Sequence, residues 1–269
     1  MLKLFSPAKI NLFLRILGKR PDGYHELASL FQTINLGDVL TFRFANEDHL
    51  TSTDPTLPCD SSNLILKAVQ LFRRKTGLNF SVAIHLEKKI STQAGLGGGS
   101  SNAATTLWAL NALQGFPYEE QELQIWSAEI GSDIPFFFSR GTAYCTGRGE
   151  NVRNLPPFPS LPPLSLEKPQ EGLSTPAIYK ALNLQECSLE DPEKLLEGFF
   201  SGNFRYINDL EMPAYRLCPS LLLFKKALLK KYTHVFMTGS GTAHLGVGSQ
   251  ALVHPLTRSA KAWYNDKVL

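Results

Sequence analysis

Gly95-Leu96-Gly97-Gly98-Gly99-Ser100-Ser101-Asn102-Ala103-Ala104 is the stretch on which the reading of this chain turns. An apolar alternation over residues 80–90 precedes it, as in a strand. The Ala/Leu-rich residues 105–113 follow it, as in a helix. Glycine has no Cβ, so its backbone takes up φ > 0 and its N–H groups come close to a ligand. The helix start behind adds unpaired N–H donors and the positive end of a dipole. Together these make an anion cradle, and the commonest biological anion there is a phosphate. A plain turn capped by Ser100 or Ser101 is the bland alternative, and the density of glycines between strand and helix favours the phosphate. The loop is not of Walker type, because no Lys follows Gly99. Nor is it a dinucleotide fingerprint, because Ser100 stands at the third glycine position. Another nucleotide loop is implied.

At 269 residues the chain makes one large or two ordinary domains. Its 43% hydrophobic and 19% charged content is ordinary globular composition. A net charge of +3 permits a small anionic ligand and gives no reason to expect nucleic acid or a membrane as partner. No apolar run approaches a transmembrane span, and the N-terminus lacks a signal-peptide layout. Cys59, Cys145, Cys187 and Cys218 show no Cys-x-x-Cys spacing and read as reduced thiols of a cytoplasmic protein. The histidines are scattered without metal-ligand spacing.

Along the chain, residues 2–5 and then Ile10, Leu12, Leu14 and Ile16 alternate as a half-buried strand does, with Lys9 and Asn11 sharing the other face. Arg20-Pro21-Asp22-Gly23 is a turn. The loop Tyr24-His25-Glu26 after it sets an aromatic beside a hydrogen-bonding imidazole, one way of holding a heterocyclic base. Residues 39–44 resume a strand, and 45–61 are polar and turn-rich. Ser61 or Ser62 then caps a helix that stops at Gly77. A glutamate-rich helix runs from Glu119 towards Gly131. Asp133 follows among apolar residues, where a carboxylate needs a partner, and Lys9 is the candidate. Residues 141–152 read as strand, turn and strand. The cluster Pro156, Pro157, Pro159, Pro162 and Pro163 then marks a semi-rigid linker and the domain boundary, giving domains 1–153 and 154–269. Beyond it, Ser174-Thr175-Pro176 starts a helix, residues 192–231 are mainly helical with breaks at Gly202 and Pro219, and residues 234–237 read as a buried strand. That strand leads into a second glycine loop, Thr238-Gly239-Ser240-Gly241, which is also compatible with a plain hairpin.

Three of these stretches occur together in one group. Pro7-Ala8-Lys9-Ile10-Asn11-Leu12, the glycine loop at 95–104 and the loop at 238–241 resemble the three motifs of the galactokinase/homoserine kinase/mevalonate kinase/phosphomevalonate kinase superfamily. Within it, Arg20-Pro21-Asp22-Gly23-Tyr24-His25-Glu26-Leu27 and Ser174-Thr175-Pro176-Ala177-Ile178-Tyr179 are similar to one branch of the non-mevalonate isoprenoid route. Its acceptor is 4-diphosphocytidyl-2-C-methyl-D-erythritol. The resemblance implies a two-domain α+β architecture, ribosomal-protein-S5-like then ferredoxin-like, with the site between them. It implies ATP and Mg2+, transfer of the γ-phosphoryl group to the acceptor 2-hydroxyl, and a monomer or weak homodimer.

By the same resemblance Asp133 is the catalytic base. Lys9 pairs with it, a nearby cation favouring a carboxylate's charged form. Asn11 lies near the acceptor hydroxyls. Ala94, Gly95, Leu96, Gly97, Gly98, Gly99, Ser100 and Ser101 hold the ATP phosphates, with Ser100 or Ser101 near the metal. Tyr24 and Tyr179 sandwich the cytosine, His25 hydrogen-bonds it, and Thr175, Thr238, Gly239 and Ser240 complete the acceptor site. Ser91 stands where the group usually has Pro. Gln93 and Ala94 stand where it has Gly, so two extra side chains crowd the loop. The alternatives are a kinase of the same group acting on mevalonate, homoserine or a sugar, and a non-catalytic nucleotide-binding protein on this scaffold.

Overall fold

The computed structural model describes residues 1–158, 161–248, 253–258 and 263–264. Two long antiparallel strands organise it, β1 (Leu2–Lys19) and β2 (His25–Ala45), joined by the expected turn, in which Gly23 takes φ +86°. β2 reaches further back than expected, so His25 and Glu26 open a strand and are not loop residues. Its 21 residues carry two partners end to end on the edge away from β1. β4 (Ser81–Glu87) pairs with residues 39–45 and β5 (Thr142–Gly147) with residues 27–32. β3 (His49–Ser52), a strand inside the stretch read as turns, runs parallel outside β4, and β6 (Asn151–Asn154) lies outside β5.

β1 is not half-buried. Residues 4–16 are buried without a break, because both faces of the strand are covered. Leu4 and Phe5 belong to the core made with α1 (Leu64–Thr76) and α2 (Gly98–Leu113). Ile10, Leu12 and Phe13 pack with Leu164, Phe199, Phe236 and Leu245 of the C-terminal part. A register shift between Asn11 and Phe13 explains why neighbours Leu12 and Phe13 share that cluster.

Asn63, not Ser61 or Ser62, caps α1 by accepting from Ile65 N, while the Ser62 hydroxyl is committed to Asp60. Gly77 ends the helix at φ +70°. α2 starts at Gly98, seven residues before the Ala/Leu-rich segment, and Gly97 is its N-cap. α3 (Glu120–Ser127) opens with a Glu119/Glu122 capping box, and Asp133 sits just before a 3-10 turn, Pro135–Phe138.

Pro156, Pro157, Pro162 and Pro163 lie outside helix and strand, while Pro159 falls outside the described residues. Beyond them come β7 (Leu164–Glu167), α4 (Thr175–Lys180), α5 (Pro192–Ser201), α6 (Glu211–Leu217), α7 (Pro219–Leu228), β8 (His234–Met237) and β9 (His244–Val247). Their sheet is antiparallel in the order β7-β9-β8, and Val253 bridges Leu164 on the other side of β7. This is a ferredoxin-like arrangement with one difference. Only five residues separate Val247 from Val253. That is too short for the second helical crossover of a complete βαββαβ unit.

His244 is fully buried in this part, its Nδ1 2.9 Å from the Thr242 carbonyl and its Nε2 3.1 Å from the Tyr215 hydroxyl. Burial pushes the imidazole down from 6.5 to about 4, with the Thr242 carbonyl opposing and Lys225 assisting. The fold therefore holds the neutral ring. The unfolded ring takes its proton near pH 6.5, so this stability is whole above that pH and is lost as pH falls towards 4. Urea unfolding is expected to show about 2 kcal/mol less stability at pH 5 than at pH 7 from this group. That part of the slope should be absent in His244→Asn, and an unchanged slope would assign the loss to other groups.

Candidate active site

The outer edge of β1 carries N–H groups that β2 does not satisfy. Lys9 N donates to the Leu96 carbonyl (2.9 Å), Asn11 N to Thr238 Oγ1 (2.7 Å) and Leu14 N to the Ile207 carbonyl (2.7 Å). The glycine loop and the third-motif loop are thus both docked on the strand that carries Lys9 and Asn11.

The Lys9 side chain is only 4% exposed. Its Nζ donates to Asn11 Oδ1 at 2.7 Å, lies 3.3 Å from Asp133 Oδ2, and sits 4.7 Å from the Phe31 ring centroid. The contact between Lys9 and Asp133, unreadable from sequence, is therefore made. Close approach explains the glycines around it. A Cβ on Gly97 would lie 2.9 Å from Lys9 Cγ, and one on Gly239 would lie 3.2 Å from Lys9 Nζ. Both residues also have positive φ. The two glycine loops touch through backbone, since a Cβ on Gly241 would lie 1.9 Å from Gly95 N. The 238–241 segment joins β8 to β9, so it is a hairpin loop and a site loop at once.

Because α2 starts at Gly98, its first turn, Gly98-Gly99-Ser100-Ser101, is glycine and serine, and Ser100 faces the cleft with the helix's free N–H groups. Ser101 does not. Its hydroxyl is fully buried, 2.8 Å from that of Ser6, so Ser100 alone of the pair remains a candidate near a metal. The crowding expected from Ala94 does not arise, because Ala94 turns into the second core. Gln93 has φ +54° and its side chain lies against Gly172.

Two cavities meet here. One of about 480 Å³ runs along the glycine loop, with Leu57, Pro58, Ser62 and Asn63 on its far wall. Another of about 860 Å³ is lined by Asn11, Tyr24, His25, Tyr179, Arg148 and Gly239. Lys9, Ser100, Asp133, Thr175 and Ser240 line both. The Thr175 and Ser240 hydroxyls are 2.6 Å apart. In the larger cavity Tyr24 is 56% exposed with the Arg148 guanidinium 4.9 Å from its centroid, and His25 stacks on Tyr179 at 5.3 Å. Burial, with Lys19 second, holds the His25 imidazole below 6.5, and burial, with Asp133 second, pushes the Tyr179 phenol up.

Known proteins resemble the chain along nearly its whole length. The family described as GHMP kinases N terminal domain matches residues 63–141. The 4-diphosphocytidyl-2-C-methyl-D-erythritol kinase of Protochlamydia amoebophila (strain UWE25) is 49% identical over 98% of this chain and 93% of its own length. The chain belongs to this kinase family. The chloroplastic enzyme of the same name from Arabidopsis thaliana is 48% identical over 98% of this chain and 76% of its own. A crystal structure of a 4-(cytidine 5'-diphospho)-2C-methyl-D-erythritol kinase superposes with a TM-score of 0.76 at 34% identity, covering 93% of this chain and 91% of the other.

The protein is thus an ATP-dependent kinase. Sequence reasoning missed several residues of the site. Lys88, Leu57, Pro58, Ser62 and Asn63 line the smaller cavity, and Lys19, Arg148 and Lys180 the larger. Asn208 was missed as well. Its amide donates to the carbonyls of Met237 and Gly239, both at 2.8 Å, and so sets the third-motif loop. Only the Gly147-Arg148-Gly149 turn left a local signal. Gly241→Ala is expected to force the two glycine loops apart and weaken ATP binding by about tenfold or more, with the far-ultraviolet circular dichroism unchanged. Titration calorimetry with ATP checks it, and wild-type affinity would show that the loops need not touch.

Proposed function

We propose that this kinase transfers the γ-phosphoryl group of ATP to the 2-hydroxyl of 4-diphosphocytidyl-2-C-methyl-D-erythritol. One observation supports this most, the junction of a nucleotide-sized and a larger cavity at Lys9 and Asp133. ATP phosphates would lie on the N–H groups of residues 95–100 at the start of α2. The acceptor would lie in the larger cavity, its cytosine among Tyr24, His25 and Tyr179 and its hydroxyls at Asn11 and Asp133. Asp133 takes the hydroxyl proton as the oxygen bonds to the γ-phosphorus and the bond to ADP breaks. Lys9 holds Asp133 in place and faces the developing charge with its ammonium.

Among the described residues no three His, Cys, Asp or Glu side chains cluster as a metal site. Magnesium in kinases is held mainly by phosphate oxygens and water with one or two protein oxygens, which suits Ser100 at the start of α2. Bound there, Mg2+ would neutralise phosphate charge. We assign domains 1–153 and 154–269, with Leu256, Trp263 and Tyr264 of the second returning to the core of the first. β6 ending at Asn154 and a separate sheet starting at Leu164 support the division. We also propose a monomer or weak homodimer. No described helix is long and apolar enough to cross a membrane. The free cysteines support a cytoplasmic setting.

ADP release from magnesium-ATP should be seen with the cytidine acceptor and not with mevalonate, homoserine or galactose. Turnover of one of the last three alone would replace the assignment. Asp133→Asn should lower kcat by about 10²–10⁴-fold with folding and ATP binding intact, and near-normal turnover would remove Asp133 as base. Tyr24→Ala and Tyr179→Ala should each raise the acceptor KM, stacking being worth ~1–3 kcal/mol per base. Because His25 titrates below 6.5, the acceptor KM should stay level from pH 8 to pH 7 and rise only below 6.5. A rise beginning above pH 7 would mean that His25 is not held neutral.

A further inference from the structure

Asp38 is a carboxylate with no exposure, in β2 beside Gly37, which packs against Phe5. Its Oδ1 accepts the N–H groups of Lys89 and Ile90, both at 2.7 Å. Its Oδ2 accepts the Lys88 ammonium at 2.8 Å and the Asn102 amide at 3.1 Å. Asn102 Oδ1 in turn lies 2.8 Å from the Ser6 hydroxyl, which contacts that of Ser101. One buried anion thereby ties residues 88–90, just after β4, to the second turn of α2, on either side of the glycine loop. Lys88 closes the arrangement from the cleft side. Its side chain is 7% exposed, it donates also to the Ile90 carbonyl, and Nζ lies 3.3 Å from where a Cβ would stand on Gly98.

A buried ion pair is weak evidence for stability, because well-packed apolar groups of the same volume often do as well. The position of this pair points to a different role. Lys88 lines the smaller cavity, so the pair stands directly behind the N–H groups that the nucleotide reading uses. We propose that Lys88 and Asp38 are positioning residues for the ATP phosphates. They hold the loop entry and the first turn of α2 at the spacing at which their N–H groups converge, and they act on nucleotide affinity without touching the acceptor. This rests on the reading of residues 95–100 as the ATP cradle.

The test uses Lys88→Met, Lys88→Arg and the double variant Asp38→Asn/Lys88→Met, with melting temperature and both KM values measured for each. Lys88→Met should raise the KM for ATP about tenfold, the loss of one charged hydrogen bond, while the acceptor KM stays within about twofold. Lys88→Arg should recover most of the ATP affinity. Lys88→Met leaves the buried Asp38 carboxylate with its three N–H donors but no counter-cation and is expected to melt early, so the double variant, which removes both charges, carries the decision. If it regains the wild-type melting temperature but keeps the raised KM for ATP, the positioning role stands. If melting temperature and KM for ATP return together, or if neither variant alters the KM for ATP, the pair is structural only and the inference falls. A wild-type protein that does not saturate with ATP would remove the nucleotide reading itself, and this inference with it.

Discussion

A strand with one open edge must find partners for the N–H groups along it, and β1 finds them in pieces. Phe5 N donates to the Tyr264 carbonyl, Lys9 N to Leu96, Asn11 N to Thr238 Oγ1, Leu14 N to Ile207 and Ile16 N to Asp209 Oδ2. Pro7, in the same series, has no N–H to satisfy, and an edge is where a strand tolerates proline. The partners come from the C-terminal tail, the glycine loop, the third-motif loop and the 207–209 segment. None of these is a strand of the first sheet, so the open edge becomes a dock where distant loops converge. Backbone satisfaction and site assembly are therefore one event, and a change that undocks one loop removes both a hydrogen bond and a functional group.

The edge also explains where the charge sits. Burying an ammonium costs several kcal/mol unless it is paired and hydrogen-bonded. Lys9 meets that need with Asn11 Oδ1, Asp133 and the face of Phe31, and glycines at 97 and 239 let backbone close around its stem. Asp133 is 34% exposed, so the pair has a dry side and a wet side. The dry side fixes the lysine and the wet side faces both cavities. A second buried cation, Arg15, is held at the far end of the same strand by Asp209 and the carbonyls of Ser188 and Glu190. It anchors the 207–209 segment from which Asn208 reaches the third-motif loop.

Much of this was legible because local chemistry and fold agree. The glycine loop, the turn at Arg20, the caps at Gly77 and Gly202 and the break at Pro219 all follow from φ preferences and missing N–H groups. The misreadings have a common cause, tertiary contacts overriding local pattern. Glycine and serine are poor helix interiors, so the first turn of α2 read as loop. It is helical because Ser101 and Asn102 are pinned to Ser6 and Asp38. β3 has only four residues and is defined by its parallel pairing with β4, which no period-two signal announces. Asn208 and Lys88 carry no motif at all. Their roles depend on which carbonyls and carboxylates the fold delivers to them.

The shortened ferredoxin-like unit has a consequence for the other end of the molecule. With five residues between Val247 and Val253 there is no room for a second crossover helix, and the chain beyond returns to the first sheet. Leu256, Trp263 and Tyr264 join the core built on α1 and α2. Arg258 donates to both Glu120 oxygens and to the carbonyls of Phe138 and Ser139, the end of the 3-10 turn that follows Asp133. The tail thus braces the turn that presents Asp133 while its Tyr264 carbonyl closes the start of β1. Lys9 and Asp133, far apart in the chain, are held in register from two directions. The glycine loops hold the lysine's strand from the cleft side, and the tail holds the aspartate's turn from behind.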